Sequence, residues 1–216
     1  MSAALVQHKE QEGISGNIVL VYTGITAGNT LLVMVNRESG SGTISSVSDN
    51  VNAGNYTSIL DPFTGEVLAF VKRNVLSGNT TITGVASVGG DVWNASSYEI
   101  SGCDNVAAIL SGSQLNSPDT NNHVSTSIAI SGPGFAACSA EFSGGTDWTP
   151  GSGWATFNTT ISSSGVNQHK ILTESSDTGP FSTTSAITTA AIMIMIPEVS
   201  SGALPFITQV GAIHIR

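Results

Sequence analysis

Hydrophobic residues along this chain recur with a period of two. Over residues 123–131, Val124, Thr126, Ile128 and Ile130 fall on one side of an extended backbone, while Ser125, Ser127, Ala129 and Ser131 fall on the other. Successive side chains of a strand point to opposite faces, so this run predicts a strand with one packed and one lightly covered side. Residues 187–196 differ, because Ile192, Ile194 and Ile196 are matched on the opposite side by Met193 and Met195. Two apolar faces predict a central strand, ended by Pro197 since proline cannot extend a ladder from inside.

Further runs of similar length occupy residues 18–22, 30–36, 43–48, 56–60, 66–73, 80–87, 93–100, 135–142, 154–163, 169–173 and 206–215. Between them stand Ala27-Gly28-Asn29, Ala53-Gly54-Asn55, Ser77-Gly78-Asn79 and Gly89-Gly90-Asp91, which put Gly and Asn where positive φ or a side-chain-to-backbone bond is needed. Short strands punctuated this regularly predict an all-β fold, an antiparallel β-sandwich of jelly-roll type. No linker-like run and no solenoid period divides the chain. The expectation is one sandwich domain over 17–216, preceded by an arm over 1–16 whose polar residues lack periodicity.

Composition narrows the function classes. Charged residues are 10% of the 216, with six Lys plus Arg against fifteen Asp plus Glu and a net charge of −9. Binding phosphate requires a basic patch, so nucleic acid is not an expected partner. Between Asn74 and His169 stand Asp91, Glu99, Asp104, Asp119, Glu141 and Asp147 with no Lys or Arg. They read as a solvated acidic face, with a cation or basic-partner site as the alternative. The opening MSAALVQHKEQEGISGN has no basic stretch followed by a long apolar run, so no Sec signal is expected. Residues 190–196 fall far short of the ~20 a membrane helix needs, and the expectation is synthesis in the cytoplasm with no membrane partner.

Cys103 and Cys138 sit in no metal-binding spacing. They read as buried thiols, or as one disulfide formed after lysis or export. No cofactor and no metal site is expected. Asp49, Asn50, Asn52 and Asn55 form an Asx-rich loop; oxygen-rich loops can hold calcium, but turn chemistry explains these residues without an ion. The N-x-S/T triplets at Asn55, Asn79, Asn94 and Asn158 read as accidents of composition.

Catalytic patterns are weak. Jelly-roll glycoside hydrolases flank the scissile bond with two carboxylates, yet the strand-borne Glu99, Glu141 and Glu174 share no paired motif and read as surface acids. Abundant serines beside His8, His123, His169 and His214 make a Ser-His-Asp arrangement uninformative, and no GxSxG elbow is present. Residues 144–154 place Trp148 and Trp154, with Asp147, in a Gly-rich loop. These three are the candidate contacts for a glycan or a partner, because an exposed indole stacks on a sugar or fills a neighbour's pocket. In the competing reading Trp154 begins a core strand and Trp148 caps the sandwich end.

Residues 27–102 contain AGNTLLVMV, SSVSDNVNAGNYTSIL, VLSGNTTITGVAS and SSYEISGC in succession. This succession resembles a small β-sandwich unit of phage and prophage virion proteins and of bacterial surface proteins, with correspondences at 28–35, 47–56, 78–83 and 98–102. The resemblance implies a non-enzymatic structural protein of a tailed-phage virion, either a capsid decoration (cement) or a tail- or fibre-associated subunit. A closed sandwich with loops at both ends can dock repeatedly on a symmetric lattice, so a homo-oligomer, a trimer by preference, docked on major capsid or tail subunits is expected. A carbohydrate-binding module or adhesin is the alternative, and a glycoside hydrolase-like jelly roll the third reading.

Overall fold

The computed structural model describes residues 2–60, 66–116, 121–126, 129–142, 147–156, 165–173 and 176–200. Among these residues there is no helix, and the strands pair antiparallel. The first half contains β1 (Ala4–Ser15), β2 (Ile18–Ile25), β3 (Thr30–Ser39), β4 (Ile44–Asp49), β5 (Thr57–Leu60), β6 (Val67–Lys72), β7 (Gly78–Ala86) and β8 (Val92–Ser101). The second contains β9 (Leu110–Asn116), β10 (Asn122–Val124), β11 (Ile130–Ser131), β12 (Gly134–Phe142), β13 (Trp148–Pro150), β14 (Gly165–Leu172), β15 (Ser176–Asp177), β16 (Pro180–Thr183) and β17 (Thr189–Pro197).

The two halves repeat one connectivity. The first has a wide sheet, β1-β8-β3-β6-β5, and a narrow one, β2-β7-β4. The second has a wide sheet ordered β9-β17-β12-β14 and a narrow one ordered β10-β16-β13. Within each half the wide sheet joins the first strand to the last, and the last to the next long strand, β3 or β12, after the narrow sheet's opening strand. The match extends to the connections. The backbone of Val75 bonds to Gly28 and Asn29 in the first half, where the second half has the β11–β15 ribbon. Ala155 bridges His169 along the outer margin of β14, where the first half has β5 beside β6.

Burial orders these sheets into layers. Leu31, Val33 and Val35 of β3 pack with Ile18, Leu20, Tyr22 and Ile82 of the narrow sheet. Leu32 and Met34, one residue out of step, pack on the opposite side with Phe135, Ala137, Ile192 and Ile194 of the second wide sheet. Beyond that sheet, Ala136, Cys138, Met193 and Met195 pack with Ile130, Trp154 and Leu172, and Ala140 and Ala191 pack with Trp148 and Phe181. The wide sheets therefore lie face to face at the centre, with the narrow sheets outside. Each fully buried Leu, Ile or Met at the central seam contributes ~1.5–3 kcal/mol. One margin of that seam is polar: Asn94 Nδ2 donates to Asn36 Oδ1 at 3.1 Å, and Asn36 Nδ2 donates across the seam to Ser139 Oγ at 3.2 Å.

Local patterning explains most elements. β2 alternates from Ile18 to Tyr22, with Ile18, Leu20 and Tyr22 buried and Val19 and Val21 exposed. β17 is buried on both faces up to Pro197, as its two apolar stripes predict. Gly28 and Gly90 take positive φ (85° and 95°), the conformation the turn sequences call for.

Two expectations give way. Residues 4–15 are not an arm but edge strand β1, laddered to β8 from Ala4↔Ser101 to Ser15↔Val92. Their polarity fits a margin strand with half-covered side chains. Residues 123–131 are not one strand: β10 ends at Val124, after which the Ser125 and Thr126 amides donate to the Thr178 carbonyl, and pairing resumes at β11. Ser127 and Ile128 lie outside the described residues, as do residues 157–163 and the strand expected over 206–215.

Candidate functional site

The structure turns the predicted aromatic contacts inward. Trp148 is only 8% exposed and packs against Phe181, while Trp154 is 6% exposed beneath Met193 and Leu172. Trp154 Nε1 donates to Asp177 Oδ2 at 3.2 Å, and Lys170 Nζ reaches the same oxygen at 2.7 Å while lying 5.8 Å from the indole centroid. A buried indole satisfied in this way offers no face to a sugar. Asp147 is exposed, but its carbonyl accepts from the Thr184 amide at 2.9 Å and shares no aromatic platform with the two tryptophans. A small hollow of about 290 Å³ beside His123, Pro150 and Phe181 is lined, among the described residues, by none of the three.

Of the three candidate acids, Glu99 serves the fold. Glu99, expected at the surface, is fully buried. Its Oε1 accepts from the Thr26 amide at 2.8 Å and Asn29 Nδ2 at 2.6 Å, and its Oε2 accepts from Gln7 Nε2 at 2.6 Å. The carboxylate thus ties the β2–β3 turn and β1 to β8. Glu141 is half-buried, and burial, followed by the Glu66 charge, raises its carboxyl to about 7. Glu174 lies outside the described residues.

The Asx loop is closed on itself. Asp49 accepts from the Val51 and Asn52 amides at 2.7 and 2.6 Å and from the Tyr56 hydroxyl at 2.8 Å. Burial raises its pKa, but these donors outweigh burial and leave it below the ordinary value. Asn50 Oδ1 and Asn52 Oδ1 accept from the Thr81 and Leu76 amides. The Asp49, Asn50 and Asn52 oxygens thus serve the loop's own turns, and no group of three or more His, Cys, Asp or Glu side chains placed to hold a metal ion occurs among the described residues.

The histidines are packing groups. His169 stacks on Phe135 with ring centroids 5.8 Å apart, and burial lowers its pKa to about 4. His8 lies 5.1 Å from Tyr98, and burial, then His169 and Lys9, lower it to about 4 as well. His123 Nε2 is 2.9 Å from Thr183 Oγ1, and its ring stacks on Phe181. His214 lies outside the described residues. Cys103 and Cys138 are both free and buried in different clusters, and burial pushes the Cys103 thiol up to about 12.

What the sequence does not announce is a cleft of about 670 Å³ at the junction of the halves. One wall is Asn55 with Thr57, Ser58 and Ile59 of β5, joined by Val71, Lys72 and Arg73 at the end of β6. The other is the connecting segment 106–109 and Ser111 of β9. Segments far apart in sequence build it, which is why no motif marks it. β5 and β9 each end their sheets, so two unpaired strand margins border the cleft among the described residues. The volume falls within the ~300–1,000 Å³ range of ligand-binding clefts.

The chain matches no family model, no curated protein and no solved structure.

Proposed function

We propose that the chain is a non-enzymatic structural subunit of a tailed-phage virion, a capsid decoration or a tail- or fibre-associated protein. The observation that carries this reading is the repeated strand order. We read the orders β1-β8-β3-β6, with β5 added at its margin, and β9-β17-β12-β14, each with a three-stranded partner sheet, as two jelly-roll-like units. Jelly rolls recur in capsid and lectin domains, where double-sheet packing manages strand edges and loops gather at the ends. Two of them joined through buried faces make a stiff block suited to repeated docking.

Side-chain usage supports the same reading. Glu99, Asp49 and both loop tryptophans are committed to holding the fold, which leaves surface for contact. On the outer face of the first narrow sheet, Val19, Val21 and Val85 are exposed beside Thr81 and Thr83 without a charge among them. Such a face suits contact between copies, and we place the protein as a homo-oligomer, a trimer by preference, seated on major capsid or tail subunits.

The test is to band particles from a producing host on a density gradient and quantify this chain against the major capsid protein by mass spectrometry. Co-sedimentation at a fixed ratio through a second gradient is expected. Recovery only in the free-protein fraction would contradict the proposal.

A further inference from the structure

We infer that the cleft between the halves takes an extended, acidic segment of a partner protein, which adds as a strand along β5 and places a carboxylate against Lys72 and Arg73. The inference deepens the assembly reading and rests on it for the nature of the partner.

Charge singles out this place. Lys72 and Arg73 are two of the six Lys plus Arg in a chain of net charge −9. Among the described residues the ion pairs are Arg37–Glu66 and Lys170–Asp177, so neither cleft cation belongs to one. No carboxylate lines the cleft among the described residues. Asp104, the nearby acid, has Oδ1 turned to the Val106 and Ala107 amides at 2.8 and 2.9 Å. Lys72 Nζ donates to the Ala53 carbonyl at 2.5 Å, an ammonium with further donors to give. Arg73 Nε is buried and has no hydrogen-bond partner among the described residues. A buried guanidinium nitrogen without a partner among the described residues, beside an ammonium that belongs to no ion pair among them, gains from a carboxylate set in place.

Shape and backbone select a peptide over a compact anion. Among the described residues β5 pairs with β6 alone, so its far side offers N–H and C=O groups that no described strand matches, the template that strand addition uses. Ile59, Val71, Ile109 and the 90%-exposed Val106 line the cleft with apolar surface. Alternate side chains of an added strand would cover it. A segment alternating small apolar residues around one acid fits both features.

The experiment measures fluorescence anisotropy of labelled short peptides that alternate valine and threonine around a central glutamate, glutamine or lysine, each titrated with the full chain. The glutamate peptide should bind saturably, with the glutamine peptide weaker by about tenfold or more, as loss of a charge-assisted hydrogen bond implies. The lysine peptide should be weaker again. Lys72→Gln combined with Arg73→Gln should bring the glutamate peptide down to the glutamine level, with the far-ultraviolet spectrum unchanged. No saturable binding of the glutamate peptide, or equal affinity for the glutamate and lysine peptides, overturns the inference using the unaltered chain alone. The two proposals fail separately: a chain absent from particles can still bind the peptide, and a chain that ignores the peptide can still sediment with particles.

Discussion

Replacing Glu99 with alanine removes an acceptor that three donors share at 2.6–2.8 Å in a fully buried site. Hydrogen bonds to a charged group contribute roughly 1.5–3 kcal/mol each, and donors left buried without partners add their own penalty. The three bonds share one carboxylate and do not add fully, so the expected loss is about 4–6 kcal/mol. That is a large part of the ~5–15 kcal/mol typical of a folded domain. Glu99→Gln is the informative companion. Its carbonyl oxygen can keep the Thr26 and Asn29 bonds, leaving only the Gln7 contact to be rearranged, at about 1–2 kcal/mol. Urea denaturation followed by tryptophan fluorescence suits the measurement, since Trp93 is fully buried in the cluster on the Glu99 side of β8. An alanine variant within about 1 kcal/mol of the parent, or a glutamine variant as damaging as alanine, would refute this role for Glu99.

The remaining predictions concern the second half, the seam and the thiols. Trp154→Ala should cost about 3–5 kcal/mol, as for other buried aromatics, and Trp148→Ala should also lower the melting temperature; an unchanged melting temperature for either would return it to the surface. Burial, then the Glu12 charge, raise the Glu10 carboxyl to about 7 against an ordinary 4.5. The unfolded chain therefore loses this proton first, and stability falls as pH rises from about 4.5 to about 7. His8 and His169, lowered to about 4, bias stability the opposite way between about 4 and 6.5. Glu10→Gln should remove only the falling limb, so its urea midpoint should gain on the parent above pH 7, and parallel pH profiles would count against the burial of Glu10. An aromatic disulfide reagent should find Cys103 and Cys138 unreactive in the native chain and both reactive in denaturant; a single bridged pair would show no free thiol in either condition.

Much of the layered architecture was legible from periodicity where a strand faces one core or two. β2, with its exposed Val19 and Val21, and β17, with its paired Ile and Met stripes, were readable because burial on one or both faces writes itself into alternate positions. β1 was not, since Gln7, His8, Glu10 and Glu12 lie at a sheet margin where half-covered polar side chains satisfy the environment. The repeat of connectivity was hidden for a related reason. β8 fills its buried faces with Trp93, Ser97 and Tyr98, while the equivalent β17 uses Ile192, Met193 and Ile194, and equal geometry imposes no equal residues. Trp148 and Trp154 misled because a Gly-rich stretch suggests surface, whereas Trp148 in β13 and Trp154, after the turn closed by its amide on the Gly151 carbonyl, both press their indoles onto the outer face of the second wide sheet. The cleft could not be read at all, since β5, the end of β6 and the connection to β9 meet only after folding.

Face-to-face contact of the two wide sheets underlies the whole account, and nuclear magnetic resonance tests it most directly. Tyr98 of β8 and Phe135 of β12 have ring centroids 5.3 Å apart across the seam, so a strong nuclear Overhauser effect between their ring protons is predicted. Assigned rings that show no such effect, each with contacts only inside its own half, would contradict the stacked arrangement.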